Sequence, residues 1–234
     1  MRVARVRRML RGVWETAKSV QLAVLLFLLT RAFLVEAFRI PSGSMEGTLL
    51  VGDFLLVNKL LYGAEVPFVG GKLPAVRPPA RGDVVVFQFP PDPTKHFVKR
   101  LVGLPGDTLA MVGGRLVRNG VTQRERYALH REDGTDGRSI EFRWQREFLA
   151  PGADARRYRP TRNTWGPIIV PPAHFFVLGD NRDNSLDSRY WGFVPDTLVR
   201  GTPMLVYFSV TPDSLRERAW PDRVRWHRLG AFIR

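Results

Sequence analysis

The pattern of apolar and polar residues separates one long apolar segment near the start of the chain from a series of short β-type runs. From about residue 38 onward, runs rich in β-branched and aromatic residues alternate with turns that contain Gly, Pro or Asn. This pattern is typical of an all-β sandwich or barrel. The runs predicted as strands are residues 53–58, 83–89, 96–102, 108–112, 115–117, 174–178 and 204–209. We therefore predict a mainly β protein with an all-β body.

The apolar segment at residues 19–30 has no charge and follows six basic residues and a single Glu15. A basic flank before an apolar run is a membrane signal. Twelve residues fit the core of a cleaved signal peptide, whereas 17 residues reach the short end of the spanning range if Arg31 snorkels toward the head groups. We predict a single transmembrane anchor at residues 19–37 after a basic cytoplasmic segment at 1–18. A cleaved signal peptide and a buried soluble helix are the alternatives.

Two segments depart from the β pattern. Residues 121–164 are crowded with charged side chains and are predicted to form a polar inserted subdomain. The β core then consists of residues 38–120 and 165–213. Residues 214–234 form a basic tail in which Arg alternates with Trp, Leu and Phe, so this tail is either an amphipathic membrane-surface segment or a solvated end.

Composition narrows the chemistry. The 234 residues are 44% hydrophobic and 25% charged, as in an ordinary globular protein. The formal charge of +14 favours anionic partners such as phospholipid head groups or nucleic acid. Cysteine is absent, which excludes thiol catalysis, disulfides and Cys-based zinc sites. The four His are scattered without metal-binding spacing, although a Ser-His-Asp triad remains a chemical rival because triads form in space.

A Pro-Ser-Gly-Ser turn directly after the apolar segment is the first candidate site. Gly43 permits a tight turn in which the Ser44 hydroxyl is exposed and neighbouring N–H groups converge, as an oxyanion site requires. A plain Ser/Gly loop is the alternative interpretation.

Lys99 is the second candidate. Strand alternation places it on one face with Phe97 and Leu101, and burial there lowers the pKa of a lysine toward that of a general base. The chain has only five Lys among 36 basic residues, and Arg cannot deprotonate, so a Lys in an apolar strand is a good candidate for a base. An edge-strand Lys that deters aggregation is the alternative. A third segment, GDNRDNSLDSRYWGFVP, is a solvated loop or a calcium-like acidic loop, and its three Asp beside two Arg favour internal ion pairing over a cation site.

Together these segments resemble bacterial type I signal peptidase (leader peptidase), a membrane-bound serine endopeptidase with a Ser/Lys dyad. The resemblance rests on four motifs in order, from residue 40 to about 195: IPSGSMEGTLLVGDFLLVNK, DVVVF, KRLVGLPGD and GDNRDNSLDSRYWGFVP. The anchor of the family lies where this chain has its apolar segment. One departure is Gly47, where the family commonly has Pro.

The resemblance implies roles for individual residues. Ser44 matches the nucleophile and Lys99 the general base, the Ser42 hydroxyl with the Ser44 N–H matches the oxyanion hole, and Ser185 matches the hydroxyl that orients the lysine amine. The residues that match the charged framework behind the site are Arg100, Asp180, Arg182, Asp187 and Arg189. The expected substrate-pocket residues are Phe38, Ile40, Met45, Leu49 and Val98.

The implied substrates are preprotein signal peptides with small residues at the first and third positions before the cut, bound as an added β-strand. The implied location is the bacterial inner membrane, with one pass through the lipid bilayer, the N-terminus in the cytoplasm and the catalytic domain outside. No cofactor, metal or nucleic-acid partner is expected. A specialised Ser/Lys peptidase for one secretion or conjugation subunit and a non-catalytic, membrane-tethered basic binding domain are the alternatives.

Overall fold

The computed structural model describes residues 2–29, 35–66, 71–130, 140–212 and 222–233. Parts of the predicted cytoplasmic segment (1), anchor (30–34), β core (67–70 and 213), insertion (131–139) and tail (214–221 and 234) lie outside the described residues. The first element is helix α1, Arg2–Leu29, which contains no Pro and is rich in the good helix formers Arg, Leu and Ala. Within the described ranges, no helix is both long enough and apolar enough to cross a membrane.

The start of the chain differs from its predicted division. The predicted boundary between residues 1–18 and the anchor lies inside α1, so both parts share one helix. Residues 35–37, which were assigned to the anchor, are extended and pair with residues 56–58 of the second strand. The predicted end of the anchor at residue 37 is therefore wrong, because backbone pairing with the neighbouring strand satisfies the polar groups of these residues.

The strands within the described residues are β1 (Val35–Arg39), β2 (Asp53–Asn58), β3 (Glu65–Val66), β4 (Gly71–Lys72), β5 (Val84–Phe89), β6 (Asp92–Gly103), β7 (Thr108–Val112), β8 (Arg115–Arg118), β9 (Val121–Thr122), β10 (Trp165–Ile169), β11 (His174–Leu178), β12 (Val194–Pro195) and β13 (Val199–Ser209). A short helix α2 covers Ser188–Trp191, and 3₁₀ segments cover Gly43–Met45, Leu60–Tyr62, Ile140–Phe148, Asp196–Leu198 and Trp226–Arg228.

The main sheet has seven antiparallel strands in the order β1-β2-β13-β5-β6-β11-β12. Three strands separate β1 from β6 in this order, yet the ring centroids of Phe38 on β1 and His96 on β6 are only 5.5 Å apart. The sheet therefore curls until β1 approaches β6. A second sheet, β10-β7-β8-β9, packs with β11 around a core that includes Leu109, Ile168 and Phe176.

The predicted strands agree closely with the observed ones. The bounds of β2, β7 and β11 are as predicted, which reflects the strong alternation and clear turn signals at their ends. The prediction starts β13 five residues late, at Met204, because Pro203 interrupts the pattern. In the structure a register shift between Pro203 and Leu205 accommodates this proline within the strand.

The predicted insertion at residues 121–164 is packed into the core on one side. In its 3₁₀ segment Ile140–Phe148, the Trp144 ring lies edge-on to Phe193 at a centroid distance of 5.1 Å. The Trp144 indole N–H also donates to the Arg189 carbonyl at 3.1 Å. This segment therefore packs its apolar side chains against the core beside β11, while the polar inserted subdomain at 121–164 stays a prediction.

Residues 222–233, which we term the return segment, run back along β13. Arg225 N donates to the Ser209 carbonyl at 2.9 Å, and Val206 N donates to the Ala231 carbonyl at 3.0 Å. Ala231 packs against the core cluster that contains Val206. The alternative of a solvated basic end is therefore wrong for these residues, because β13 offers backbone groups and apolar surface that the segment covers.

Candidate active site

Ser44 lies in the 3₁₀ turn Gly43–Met45 between β1 and β2 and is 8% exposed. The turn is closed by the Glu46 N–H, which donates to the Gly43 carbonyl at 3.0 Å. Asn181 holds it from the other side, since its backbone N–H donates to the Ser44 carbonyl at 3.1 Å and its side-chain amide donates to the Gly43 carbonyl at 3.2 Å. The nucleophile candidate is thus fixed by a segment that lies 137 residues away in the chain.

Lys99 meets Ser44 in a buried contact. Its Nζ donates to Ser44 Oγ at 2.7 Å and to the Val98 carbonyl at 3.2 Å. The residue is 4% exposed, and its Nζ lies 5.3 Å from the Phe97 ring centroid, on the apolar face that the alternation predicts. Burial lowers the pKa of Lys99 to about 8, although the negative charges of Asp187 and Asp180 oppose this shift. A neutral amine is therefore accessible near physiological pH.

Two further hydroxyls were expected at this site. Ser42 is exposed, and its Oγ lies 3.5 Å from Ser44 Oγ, at the limit of a hydrogen bond. Ser185 is buried, and within the described residues no hydrogen bond joins its Oγ to Lys99, whose Nζ donates to Ser44 and Val98. The expected bond from Ser185 to the Lys99 amine is thus not observed. Its hydroxyl instead lies so close to Gly179 that a Cβ on this glycine would overlap it.

The five framework residues are all buried, and four of them form two bidentate ion pairs with one another. Arg100 donates to both carboxylate oxygens of Asp180 at 2.8 and 2.7 Å, and Arg189 donates to both oxygens of Asp187 at 2.8 and 2.9 Å. Arg182, by contrast, pairs with Glu125 at 2.7 and 2.8 Å.

Sequence reasoning missed Glu125. It lies among many charged residues of the insertion, and no local signal sets it apart.

Each framework carboxylate also accepts a hydrogen bond from a residue near the Ser44 turn. Thr48 Oγ1 donates to Asp180 at 2.6 Å, and the Gly179 N–H donates to Asp187 at 3.0 Å. Since Asp180 is followed by Asn181, the same ion pair that fixes Thr48 also fixes the residue that holds the Ser44 carbonyl. Thr48 is a second residue that the sequence analysis did not select.

A groove of about 430 Å³ opens in front of the dyad. Four of the five predicted pocket residues line it: Phe38, Ile40, Met45 and Val98. The fifth prediction is wrong, because Leu49 is 0% exposed and packs in the core with Leu55 and Val57. The groove is also lined by residues that were not predicted: Arg39, Pro41, Gly43, His96, Phe97, Asn184 and Leu186.

Strand edges border this groove. β1 pairs only with β2, at the end of the main sheet. Residues 96–99 of β6 pair with β5, whereas β11 begins to pair with β6 only at Arg100. Among the described residues, β1 and the first part of β6 therefore each have one unpaired edge, and an extended peptide can add to such an edge.

Gly47 has a backbone φ of +102°. Proline requires φ near −65° and cannot adopt this conformation. A Cβ at this position would also lie 3.1 Å from the Leu129 side chain and 3.2 Å from the Tyr127 carbonyl. The turn after Ser44 in this chain is therefore built around glycine and around the packing of residues 127–129 against it.

The geometry gives less support to a Ser-His-Asp triad or to a metal site. The hydrogen-bonding neighbours of Ser44 Oγ within the described residues are Lys99 and Ser42, and no His is among them. Within the same residues, no three His, Asp or Glu side chains are grouped so that they could hold a metal ion.

Comparison with known proteins identifies the family of this chain. The chain matches the family described as signal peptidase, peptidase S26, over residues 13–208. It is 43% identical over 210 residues to Signal peptidase I of Pseudomonas fluorescens, covering 83% of this chain and 72% of that protein. It is 40% identical over 223 residues to Signal peptidase I of Pseudomonas aeruginosa, covering 89% and 73%. A crystal structure of a signal peptidase I from Enterococcus faecalis, 31% identical, matches 55% of this chain and 98% of that chain with a TM-score of 0.37.

Proposed function

Because the chain belongs to the signal peptidase family, peptidase S26, it is a type I signal peptidase, and we propose that Ser44 is its nucleophile and Lys99 its general base. The observation that carries this proposal is the buried hydrogen bond of 2.7 Å between Lys99 Nζ and Ser44 Oγ. A nucleophile within hydrogen-bonding distance of a base with a lowered pKa is the arrangement that covalent catalysis requires.

The reaction is acyl transfer. Neutral Lys99 accepts the proton of Ser44 Oγ while this oxygen attacks the carbonyl carbon of the scissile peptide bond. The carbonyl oxygen becomes an oxyanion, and the Ser44 N–H together with the Ser42 hydroxyl donates to it. When the C–N bond breaks, protonated Lys99 gives its proton to the leaving amine. A water, deprotonated by Lys99, then hydrolyses the acyl-enzyme and releases Ser44.

The charged framework holds these groups without taking part in proton transfer. The ion pairs Arg100–Asp180 and Arg189–Asp187 are each almost completely buried, so their charges are compensated locally. Asn181, which follows Asp180, donates to the Ser44 and Gly43 carbonyls, and these hydrogen bonds restrain the nucleophile relative to Lys99. Fixed geometry matters because a misplacement of about 1 Å costs on the order of 100-fold in rate.

The substrate is an extended signal peptide that adds as a strand in the groove. Side chains at alternate positions of a strand point to the same face, so the first and third residues before the cut both point toward the enzyme. The groove wall there consists of Phe38, Ile40, Met45 and Val98, which suit small apolar side chains. This supports the preference for small residues that the resemblance implies.

We include membrane attachment through α1 in the proposal. Large apolar side chains between Val20 and Phe27 each have more than half of their surface exposed, which is costly in water and favourable in lipid. The basic flank before them stays in the cytoplasm and the catalytic body lies outside the bacterial inner membrane. Protease treatment of spheroplasts should degrade the body and spare the first residues. A mature form that starts after Ala37 would contradict the anchor.

Cleavage of several purified preproteins by the full chain tests the proposal. Ser44→Ala and Lys99→Arg should both be inactive with unchanged circular dichroism, because one removes the nucleophile and the other keeps the charge but cannot deprotonate. The matched control Lys95→Arg, at an exposed position of the same strand, should retain full activity. Cleavage of a single substrate only would favour the specialised peptidase, and no cleavage by the wild type would favour the binding domain.

A further inference from the structure

The loop between Ser44 and β2 is held by a second buried ion-pair network that the proposed mechanism does not use. Its centre is Asp53, which is 0% exposed at the start of β2. Arg228 of the return segment donates to Asp53 Oδ2 at 2.6 Å from Nη2 and to Oδ1 at 3.0 Å from Nε. Ser209 Oγ and the Leu50 N–H donate to the same carboxylate at 2.7 and 2.8 Å. A residue 175 positions away from Asp53 thus neutralises it.

Arg228 also contacts the catalytic loop directly. Its Nη2 donates to the Thr48 carbonyl at 3.1 Å. The Thr48 hydroxyl donates to Asp180 and accepts from Arg100 at 3.0 Å, and the Thr48 N–H donates to the Met45 carbonyl at 3.1 Å. Thr48 is therefore held on one side by the charged framework and on the other by the return segment, one residue beyond the positive-φ Gly47 of the Ser44 turn.

A single guanidinium makes this double contact possible. Its planar fork can donate to both oxygens of a carboxylate and still reach a carbonyl, whereas a lysine ammonium is a point donor on a flexible stem. Arg225, three residues earlier, has nearly the same side-chain exposure, 17% against 18% for Arg228. It donates to the Val51 and Val210 carbonyls at 2.6 and 3.0 Å and to Ser209 Oγ at 2.8 Å, and its Nη2 lies 3.4 Å from Asp53 Oδ1. None of its hydrogen bonds within the described residues reaches Thr48.

We propose that Arg228 is a positioning residue for catalysis: through Asp53 and the Thr48 carbonyl, the return segment sets the place of the Ser44 turn relative to Lys99. Arg225 also pairs with Asp53, at 3.4 Å, but makes no hydrogen bond to Thr48 within the described residues, so it fastens the same segment to β13 without positioning the turn. The inference rests on the proposed function of Ser44, and it assigns the return segment a role in positioning the active site.

Steady-state cleavage of a signal-peptide substrate by the full-chain variants Arg228→Lys and Arg225→Lys tests this role. Assays run well below the melting temperature, and circular dichroism verifies that each variant is folded. We expect Arg228→Lys to lower kcat about 10- to 100-fold, because the Ser44 turn shifts, while KM stays within about twofold, since the groove is unchanged. Arg225→Lys should lower the melting temperature comparably and keep kcat within about twofold.

Full kcat in Arg228→Lys would overturn the proposal. The proposal would also be overturned if kcat fell in both variants in proportion to the loss of melting temperature, because this would show a general structural role. If Arg228→Lys does not fold, the double variant Asp53→Asn/Arg228→Gln replaces the charges by a neutral hydrogen-bonding pair. Its kcat and melting temperature are then judged in the same way. Cleavage by Ser44→Ala would instead refute the proposed function, which keeps the two failures distinct.

Discussion

Raising the pH should activate cleavage through one ionisation, that of Lys99. Burial lowers the pKa of this lysine from 10.5 to about 8, because the effect of burial is larger than the rise in pKa caused by the negative charges of Asp187 and Asp180. At pH 7 about one tenth of the molecules then carry the neutral amine, against roughly 0.03% for an unshifted lysine, so burial raises the active fraction about 300-fold. The rate constant kcat/KM should rise about tenfold per pH unit below pH 8 and level off above it.

The assay measures kcat/KM of the full chain against one preprotein from pH 5 to pH 10. Two variants accompany it. Lys99→Arg should be inactive at every pH, because a guanidinium does not deprotonate in a protein. Replacing the four His by Gln should leave the rise of kcat/KM between pH 5 and pH 8 unchanged, whereas a Ser-His-Asp enzyme would lose all activity.

A midpoint near 6.5 that disappears in the His variant would refute this reasoning. So would near wild-type cleavage by Lys99→Arg.

The remaining predictions concern the same site. Lys99→Met should raise the free energy of unfolding at pH 7 by roughly 1–3 kcal/mol, as measured by thermal unfolding. The pKa of Lys99 is lowered in the folded protein, so the wild type loses stability as the pH falls from 10.5 through 8, and methionine removes this loss. An unchanged or lower Tm would contradict this. Gly179→Ala should abolish cleavage in a folded protein, since the added methyl overlaps Ser185 Oγ; full activity would show that the site tolerates displacement. Gly47→Pro should lower the stability by about 3 kcal/mol because its φ is +102°, and an unchanged Tm would disprove the strain. Ser42→Ala should reduce kcat by no more than about 10²–10³, because a backbone donor remains in the oxyanion hole, and complete inactivity would argue for a different role.

Much of the site could be predicted because its signals are local or carried by motifs. Ser44 and Lys99 are 55 residues apart, and the sequence shows the tight turn of one and the apolar strand of the other. Four pocket residues were also found. Leu49 was not, because its motif position does not reveal whether a side chain faces the groove or the core. The structure brings Ser185 next to the site, but its Oγ does not make the expected hydrogen bond to the Lys99 amine.

The strands, and the choice of Ser44 and Lys99 as candidate nucleophile and base, follow from the sequence without the fold. Alternation, turn residues and the spacing of apolar positions act within a few residues, so they can be read without the fold. The tertiary structure alone decided which charges meet. Glu125 reaches Arg182 across 57 residues and Arg228 reaches Asp53 across 175, and neither partner has a local mark that sets it apart. Buried carboxylates require a counter-charge, but only the curl of the sheet and the path of the return segment determine which arginine supplies it.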